Sequence, residues 1–448
     1  MLRAAMVITA ATLAASTLGA EEGLPHAAGP APALLALDDV RSCAFTEDGR
    51  FVAGTGGGLW IAGQPVLTAS DGLPDTQVDQ VRVHGDDVWV RTPKGHAHVS
   101  IASRRVSGVD ARVDAPIPTA PSSERVAGSR VRARGERDGR ICLATDHGLY
   151  LSEGTDAPSR ALLRGPVLPS GDVAALATTA SAGLFVGTFD RGLFRYRSDL
   201  GRVEAAGDAS LNPNINALAW DETRRVLWVA TARGLSRCDQ GARCARVGDG
   251  DGKHALVVLR SGHVVAGGDG TLVFATPEGA VEGTLTRKSG APFRAVWSLA
   301  EGDDGALFVG TTSGLWFGRP ETFRASGASG LRRISMVDGA LPDDWVTALA
   351  VRGKDLFVGT YNAGLVRFRR QGGELISTGT DASAGYVNAA GITLLPGGDL
   401  AVSTMDGLRV GAFGSLRRTP TLGADVTAVA VASSGTRWVA SRRGVGSF

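Results

Sequence analysis

Residues 302–317 read Gly-Asp-Asp-Gly-Ala-Leu-Phe-Val-Gly-Thr-Thr-Ser-Gly-Leu-Trp-Phe. An Asp-Gly turn, an apolar run ending at Gly310-Thr311, a second turn closing at Gly314-Leu315 and another apolar run predict two strands joined as a hairpin. The phrase Thr-x-x-Gly-Leu recurs at Thr55 to Leu59, Thr145 to Leu149, Thr231 to Leu235 and Thr404 to Leu408, and with one more turn residue at Thr188 to Leu193 and Thr360 to Leu365. Eroded copies stand at Thr92-Pro93-Lys94-Gly95, Gly268-Asp269-Gly270 and Ser441-Arg442-Arg443-Gly444. The ten anchors step by 37 to 53 residues, with a mean near 43. A period of that length built from short strands is the pattern of propeller blades, since one small sheet cannot bury both faces without neighbours. The chain is therefore expected to be an all-β propeller of four-stranded antiparallel blades, about ten in number. A single ring of ten is the leading arrangement and two smaller propellers the alternative.

Phe448 falls at the end of a third strand, so the last blade lacks its outermost one. The apolar piece Ala33-Leu34-Leu35-Ala36-Leu37 precedes the first blade as an outermost strand would, and is expected to complete blade ten and close the ring, which removes an exposed edge. The outermost strand of blade one is placed near Pro65 to Thr68. Blade six, over His254 to Ala275, reads as degenerate, residues 115–123 read as a loop, and the inner strand of blade three is placed near Val131 to Arg134, with an edge-like or loop segment as the alternative.

Residues 1–20 carry Arg3, an Ala, Val, Ile and Leu stretch, and Leu18-Gly19-Ala20 before two glutamates. That is a signal-peptide layout with cleavage after Ala20, leaving residues 21–448 as one propeller domain in the periplasm or outside the cell. No later segment approaches the roughly 18 consecutive apolar residues of a membrane span. A net charge of +2 gives no footprint for nucleic acid. Cys238 and Cys244 flank a short turn and are expected to form a disulfide. Cys43 and Cys142 fall in blades that are not consecutive and read as buried free thiols.

Asp71 to Val78 (Asp-Gly-Leu-Pro-Asp-x-x-Val), Gly339 to Val346, and Gly305 to Leu315 (Gly-x-Leu-Phe-Val-Gly-Thr-x-x-Gly-Leu) resemble the two-component regulator propeller repeat over nearly the whole mature chain. The resemblance implies a propeller that serves as a periplasmic sensor, in some members for oligosaccharides. Here it implies a sensor-like binding protein without its own kinase or membrane module.

In a four-stranded blade, the second turn and the connection to the next blade open on the same face. Loops on a rigid scaffold are where binding residues gather. On that upper face the candidates are Lys94, His147, Phe189, Arg191, Arg233, Trp345, Tyr361, Tyr386 and Arg442. Arginine beside aromatic rings suits an anionic or sugar-like ligand, through bidentate hydrogen bonds and stacking. His96 and His98 point to one face of a strand, but no third ligand stands at metal spacing. The acidic turns at Glu47-Asp48-Gly49, Asp86-Asp87 and Asp303-Asp304-Gly305 are what tight hairpins need without an ion. No nucleophile elbow, phosphate loop or His-Glu-x-x-His motif is present. The sequence thus names no catalytic residue, cofactor or metal. A small molecule, glycan or protein partner is the expected ligand, and a propeller-type lyase or glycoside-acting enzyme the competing class.

Overall fold

Each Thr-x-x-Gly turn is held by its own threonine. In the computed structural model the Thr311 hydroxyl donates to the Gly314 carbonyl at 2.8 Å and accepts the Ser313 N–H at 3.0 Å. The same hydroxyl-to-glycine bond closes the turns at Thr55, Thr92, Thr145, Thr188, Thr231, Thr360 and Thr404. Gly314 has φ of +100°, a conformation that favours glycine. Gly310 is required for a different reason: a Cβ there would stand 2.7 Å from Cγ1 of Val346, the first residue of the next blade. The motif therefore encodes both a turn and the close approach of neighbouring sheets.

The structure describes residues 33–108, 123–153, 156–160, 167–180, 183–240, 243–325 and 331–448. The leader expected over residues 1–20 and nearly all of loop 115–123 lie outside the described residues. Ten antiparallel sheets follow in chain order among the described residues, with one six-residue α-helix at Pro320–Ala325. The inner strands of blades one to ten are Val40–Phe45, Gln80–His84, Ser129–Arg137, Val173–Thr179, Ile215–Asp221, Lys253–Val258, Val296–Glu301, Val346–Arg352, Val387–Leu394 and Val426–Val431. The inner strand expected near Val131 to Arg134 is present as the nine residues Ser129–Arg137, paired with Arg140–Thr145 and, at Ser129 and Arg130, also with Arg125–Val126. Blade six is a complete four-stranded sheet. In blade one the outermost strand shrinks to a bridge, Leu67 exchanging two backbone hydrogen bonds with Leu59 at 2.9 Å.

The arrangement of the sheets differs from a single ring of ten. Blades four to ten close on themselves as a ring of seven, and blades three, one and two pack in that order as an open arm. Seven shared cores join the seven blades of the ring, the closing one uniting Leu176, Val186, Phe194 and Tyr196 of blade four with Ala430, Trp438 and Ala440 of blade ten. The arm has two shared cores, one between blades one and two and one between blades one and three. The closing seam is built like the other joints. Thr427 donates to the Val173 carbonyl at 2.8 Å, as Asn216 does to Lys253 at 2.8 Å, Thr347 to Val387 at 2.7 Å and Asn388 to Val426 at 2.7 Å. A fully buried large apolar side chain is worth about 1.5–3 kcal/mol and a neutral hydrogen bond about 1 kcal/mol. Packing therefore holds the ring together, and the polar bonds fix its register.

Residues 33–37 do lie against blade ten, where Leu34 and Val445 exchange backbone hydrogen bonds at 2.8 and 3.0 Å. They cover the edge of its third strand but do not close the ring, because blade four already occupies the far side of blade ten. The next residue in the chain, Leu35, accepts a bond from Leu168 N–H at 2.9 Å, just where the chain enters blade four. The two bodies are pinched together at this crossing.

Cys43 and Cys142 form a disulfide with Cα atoms 6.3 Å apart, which corrects the expectation of free thiols. Blades one and three are not consecutive in the chain, but the arm makes them neighbours. Cys238 and Cys244 are bonded across the turn between the last two strands of blade five, with Cα atoms 4.0 Å apart. No cysteine is free.

Candidate functional site

The inner strands of blades one, four to eight and ten each carry a register shift directly after their first residue, which leaves Arg41, Ala174, Asn216, His254, Trp297, Thr347 and Thr427 at one equivalent bulged position. Bulges re-aim side chains next to sites. In the ring this position is small or hydrogen-bonds to the next blade, except in blades six and seven, where it is a ring. His254 stacks on Trp297 with centroids 5.1 Å apart and planes at 21°. Trp297 lies 6.1 Å from Trp345, Trp345 stacks on Tyr361 at 4.2 Å and 17°, and Tyr361 meets Tyr386 edge-on at 5.6 Å. Five aromatic side chains thus form one row over blades six to nine.

The row is anchored beneath by backbone and charge. Tyr361 N–H donates to the Trp345 carbonyl at 2.9 Å, and His254 Nε2 lies 3.2 Å from the Asp269 carboxylate. The indole nitrogens of Trp297 and Trp345 are buried without a hydrogen-bond partner among the described residues. Tyr386, at the far end, is 45% exposed, and Met405, whose N–H donates to the Tyr386 carbonyl, is 40% exposed.

Of the nine residues singled out by sequence, Trp345, Tyr361 and Tyr386 are brought into one row. Phe189 and Arg442 meet elsewhere, across the closing seam, with the guanidinium carbon 4.0 Å from the ring centroid. Arg442 is already engaged by Asp172 at 2.7 Å and Asp425 at 3.2 Å, so its charge is spent on joining blade ten to blade four. Arg191 lies 3.8 Å from Asp190, and Arg233 is exposed with no ion-pair partner among the described residues. Lys94 and His147 belong to the arm, not the ring. Lys94 is 3.9 Å from Asp75, and His147 Nδ1 is 2.9 Å from its own neighbour Asp146. Burial works to raise the Asp146 carboxyl, but the His147 hydrogen bond and the nearby Arg132 charge outweigh it and hold the group below the ordinary value.

His254 and Trp297 were not among the candidates. Their signal was present in the sequence as large rings at a strand position that elsewhere in the ring holds Ala, Asn or Thr. One further departure adjoins them. Lys253 opens the inner strand of blade six where the other six ring blades have Val or Ile, and it is 2% exposed, with Nζ donating to the Asp251 carbonyl at 2.7 Å. Burial pushes its ammonium group below the usual lysine range, against the attraction of Asp251, Asp249 and Asp269.

Among the described residues no group of three or more His, Cys, Asp or Glu is placed to hold a metal ion, and no helix is long and apolar enough to cross a membrane. His98 lies instead 3.1 Å from Asp87 and 5.0 Å from the Trp89 ring.

No family model matches the chain, and no curated protein does. Among solved structures it is similar to the extracellular domain of a putative hybrid two-component system from B. thetaiotaomicron, at 14% identity and a TM-score of 0.54 over 91% of this chain. The chain spans only 64% of that protein's length. PorZ, a surface component of the type-IX secretion system of Porphyromonas gingivalis, is similar at 12% identity and a TM-score of 0.55, over 93% of this chain and 86% of its own. A streptogramin B lyase is similar at 11% identity and a TM-score of 0.50, over 62% of this chain and 94% of its own. These likenesses establish a β-propeller and nothing about its ligand.

Proposed function

We propose that this chain is an exported binding propeller of the two-component regulator repeat type, sensor-like, which takes its ligand on the upper face of the seven-blade ring. One observation carries the reading: five aromatic side chains from four blades are joined into a row, two of them, His254 and Trp297, at a bulged position that elsewhere in the ring is small or hydrogen-bonds to the next blade. What the row offers is a run of aromatic surface, against which the apolar face of a sugar ring can pack. The signal-peptide pattern supports export, as does the extracellular or surface setting of two of the similar structures.

The test is a glycan array on the purified protein, followed by calorimetric titration of any glycan retained. Trp345→Ala and Tyr361→Ala each weaken that binding at least tenfold, about 1.4 kcal/mol, while Phe189→Ala, at the seam, leaves it unchanged. Silence on the array, or full binding by the Trp345 and Tyr361 variants, would remove the sugar-like ligand from consideration.

A further inference from the structure

The arm and the ring face one another across a cleft of about 440 Å³, walled on the arm side by residues 69–70, 73–75 and Lys94 and on the ring side by residues 418–421 and 423–424. The volume is in the range of small-molecule sites, roughly 300–1,000 Å³. Its floor is a fixed ion pair. Asp75, with a side chain 2% exposed, accepts from Arg443 Nε at 2.8 Å and Nη2 at 3.4 Å, and from the Gln77 N–H at 3.0 Å. Thr76, next in the chain, donates to the Leu422 carbonyl, so the same loop is bonded to the ring twice.

The charges of this cleft do not balance. Asp75 is the acidic residue of the lining, and Arg443 already neutralises it. Lys94 remains on the arm side, 51% exposed and 3.9 Å from a carboxylate that is committed elsewhere. Arg418 remains on the ring side, exposed and with no ion-pair partner among the described residues. The hydroxyls of Ser70, Thr419 and Thr421 complete a polar rim. One carboxylate shared between Arg443 and Lys94, with Arg418 on the other wall, leaves the cleft with an excess of positive charge that a bound anion would relieve. Lysine and arginine together offer a point charge and a planar fork to oxygen acids.

We infer that this cleft binds a small molecule bearing two or more oxyanion groups, carboxylate or phosphate, which bridges Lys94 of the arm to Arg418 of the ring. The site is separate from the aromatic row and does not depend on it. Because the two cations come from different bodies, ligand bound here ties the arm to the ring and stabilises the joint as any ligand stabilises the state it prefers.

The experiment titrates the full chain with pyrophosphate, with citrate and with neutral trehalose at constant ionic strength. Binding is followed by calorimetry and by hydrogen exchange. Saturable 1:1 binding of pyrophosphate, citrate or both is expected, and none of trehalose. Lys94→Gln and Arg418→Gln each weaken the affinity tenfold or more, Arg418→Lys by less, and Arg233→Gln, which removes an exposed arginine of the ring, not at all. Bound anion slows exchange in residues 69–76 and 418–424 together. The proposal is overturned if neither anion saturates, if the Lys94 and Arg418 variants bind as well as the parent, if Arg233→Gln is equally damaging, or if only one of the two segments gains protection.

Discussion

Lys253 and Thr311 show how much a single position decides. Lys253 replaces the β-branched apolar residue that begins every other inner strand of the ring, and its buried ammonium group costs stability while it is charged. Lys253→Met removes that cost and should raise the thermal unfolding midpoint at pH 7, by on the order of 1 kcal/mol in stability. The sign with pH follows from the lowered folded value. Between that value and 10.5 the unfolded chain binds more protons than the folded one, so parental stability rises with pH and the gap to the variant narrows as pH 10.5 is approached. A gap that widened would contradict this. Thr311→Val is the opposite case: it keeps the shape but strands the Ser313 N–H and the Gly314 carbonyl inside a buried turn, and should cost about 2 kcal/mol in denaturant unfolding. At this scale the sequence was informative. The threonine and glycine of the motif are each needed for a reason visible in one copy, whereas Trp297 and His254 become notable only once all the inner strands are aligned at their bulge.

At the scale of the element, neighbouring blades are joined by recurring devices, and the arm uses costlier ones than the ring. Where the ring places Asn or Thr against a carbonyl, the arm places Arg132 against Asp39 and Arg41 against Asp39 and Asp79. Burial tends to raise the Asp39 carboxyl, but the hydrogen bond and charge of Arg132, with Arg41 beside it, hold it below 3.8. A depressed folded value contributes stability above the unfolded one and loses it as pH falls through the folded one. The arm should therefore weaken below about pH 4. Asp39→Asn should flatten the acid dependence of the tryptophan fluorescence transition that reports on Trp60. The disulfide between Cys43 and Cys142 encloses a separation of 99 residues, for which loop-closure entropy gives about 4 to 5 kcal/mol. Cys43→Ser with Cys142→Ser should lower the unfolding of residues 33–160 by a large part of that figure, with protection from hydrogen exchange in residues 167–448 unchanged. Equal loss in both regions would mean that the two bodies unfold as one. Pairing was legible for Cys238 and Cys244, which a hairpin brings together. It was not for Cys43 and Cys142, whose proximity depends on which blades become neighbours.

For the whole molecule, the repeat counted the sheets and determined their internal order, and could not say how they associate. All the joints but that of blades five and six, where Lys253 stands, use the same kind of surface: Val or Ile at or just before the start of the first strand of one blade, and Gly, Ala or Ser on the second strand of another. Blade ten meets blade four through the chemistry with which blade nine meets blade ten, so a ring of seven with an arm of three satisfies the same local rules as a ring of ten. The free face of blade two marks where the arm stops. It presents Arg82, Trp89, Arg91, His96 and His98 in place of the aliphatic residues found in each shared core. Lys94 and His147 were assigned to the same mouth as Tyr361 because the turns are equivalent in sequence, and only the pinch between the bodies separates them.

That pinch has a consequence for assembly on the ribosome. Blade ten is synthesised after the other nine, and it engages twice: Thr427 latches onto Val173, and Val445 captures Leu34. Until residues 426–448 emerge, the six preceding blades of the ring have two bare flanks and Leu34 lacks its backbone partner. Residues 426–448 act as a keystone, and a nascent chain waiting for them is the form most in need of a chaperone.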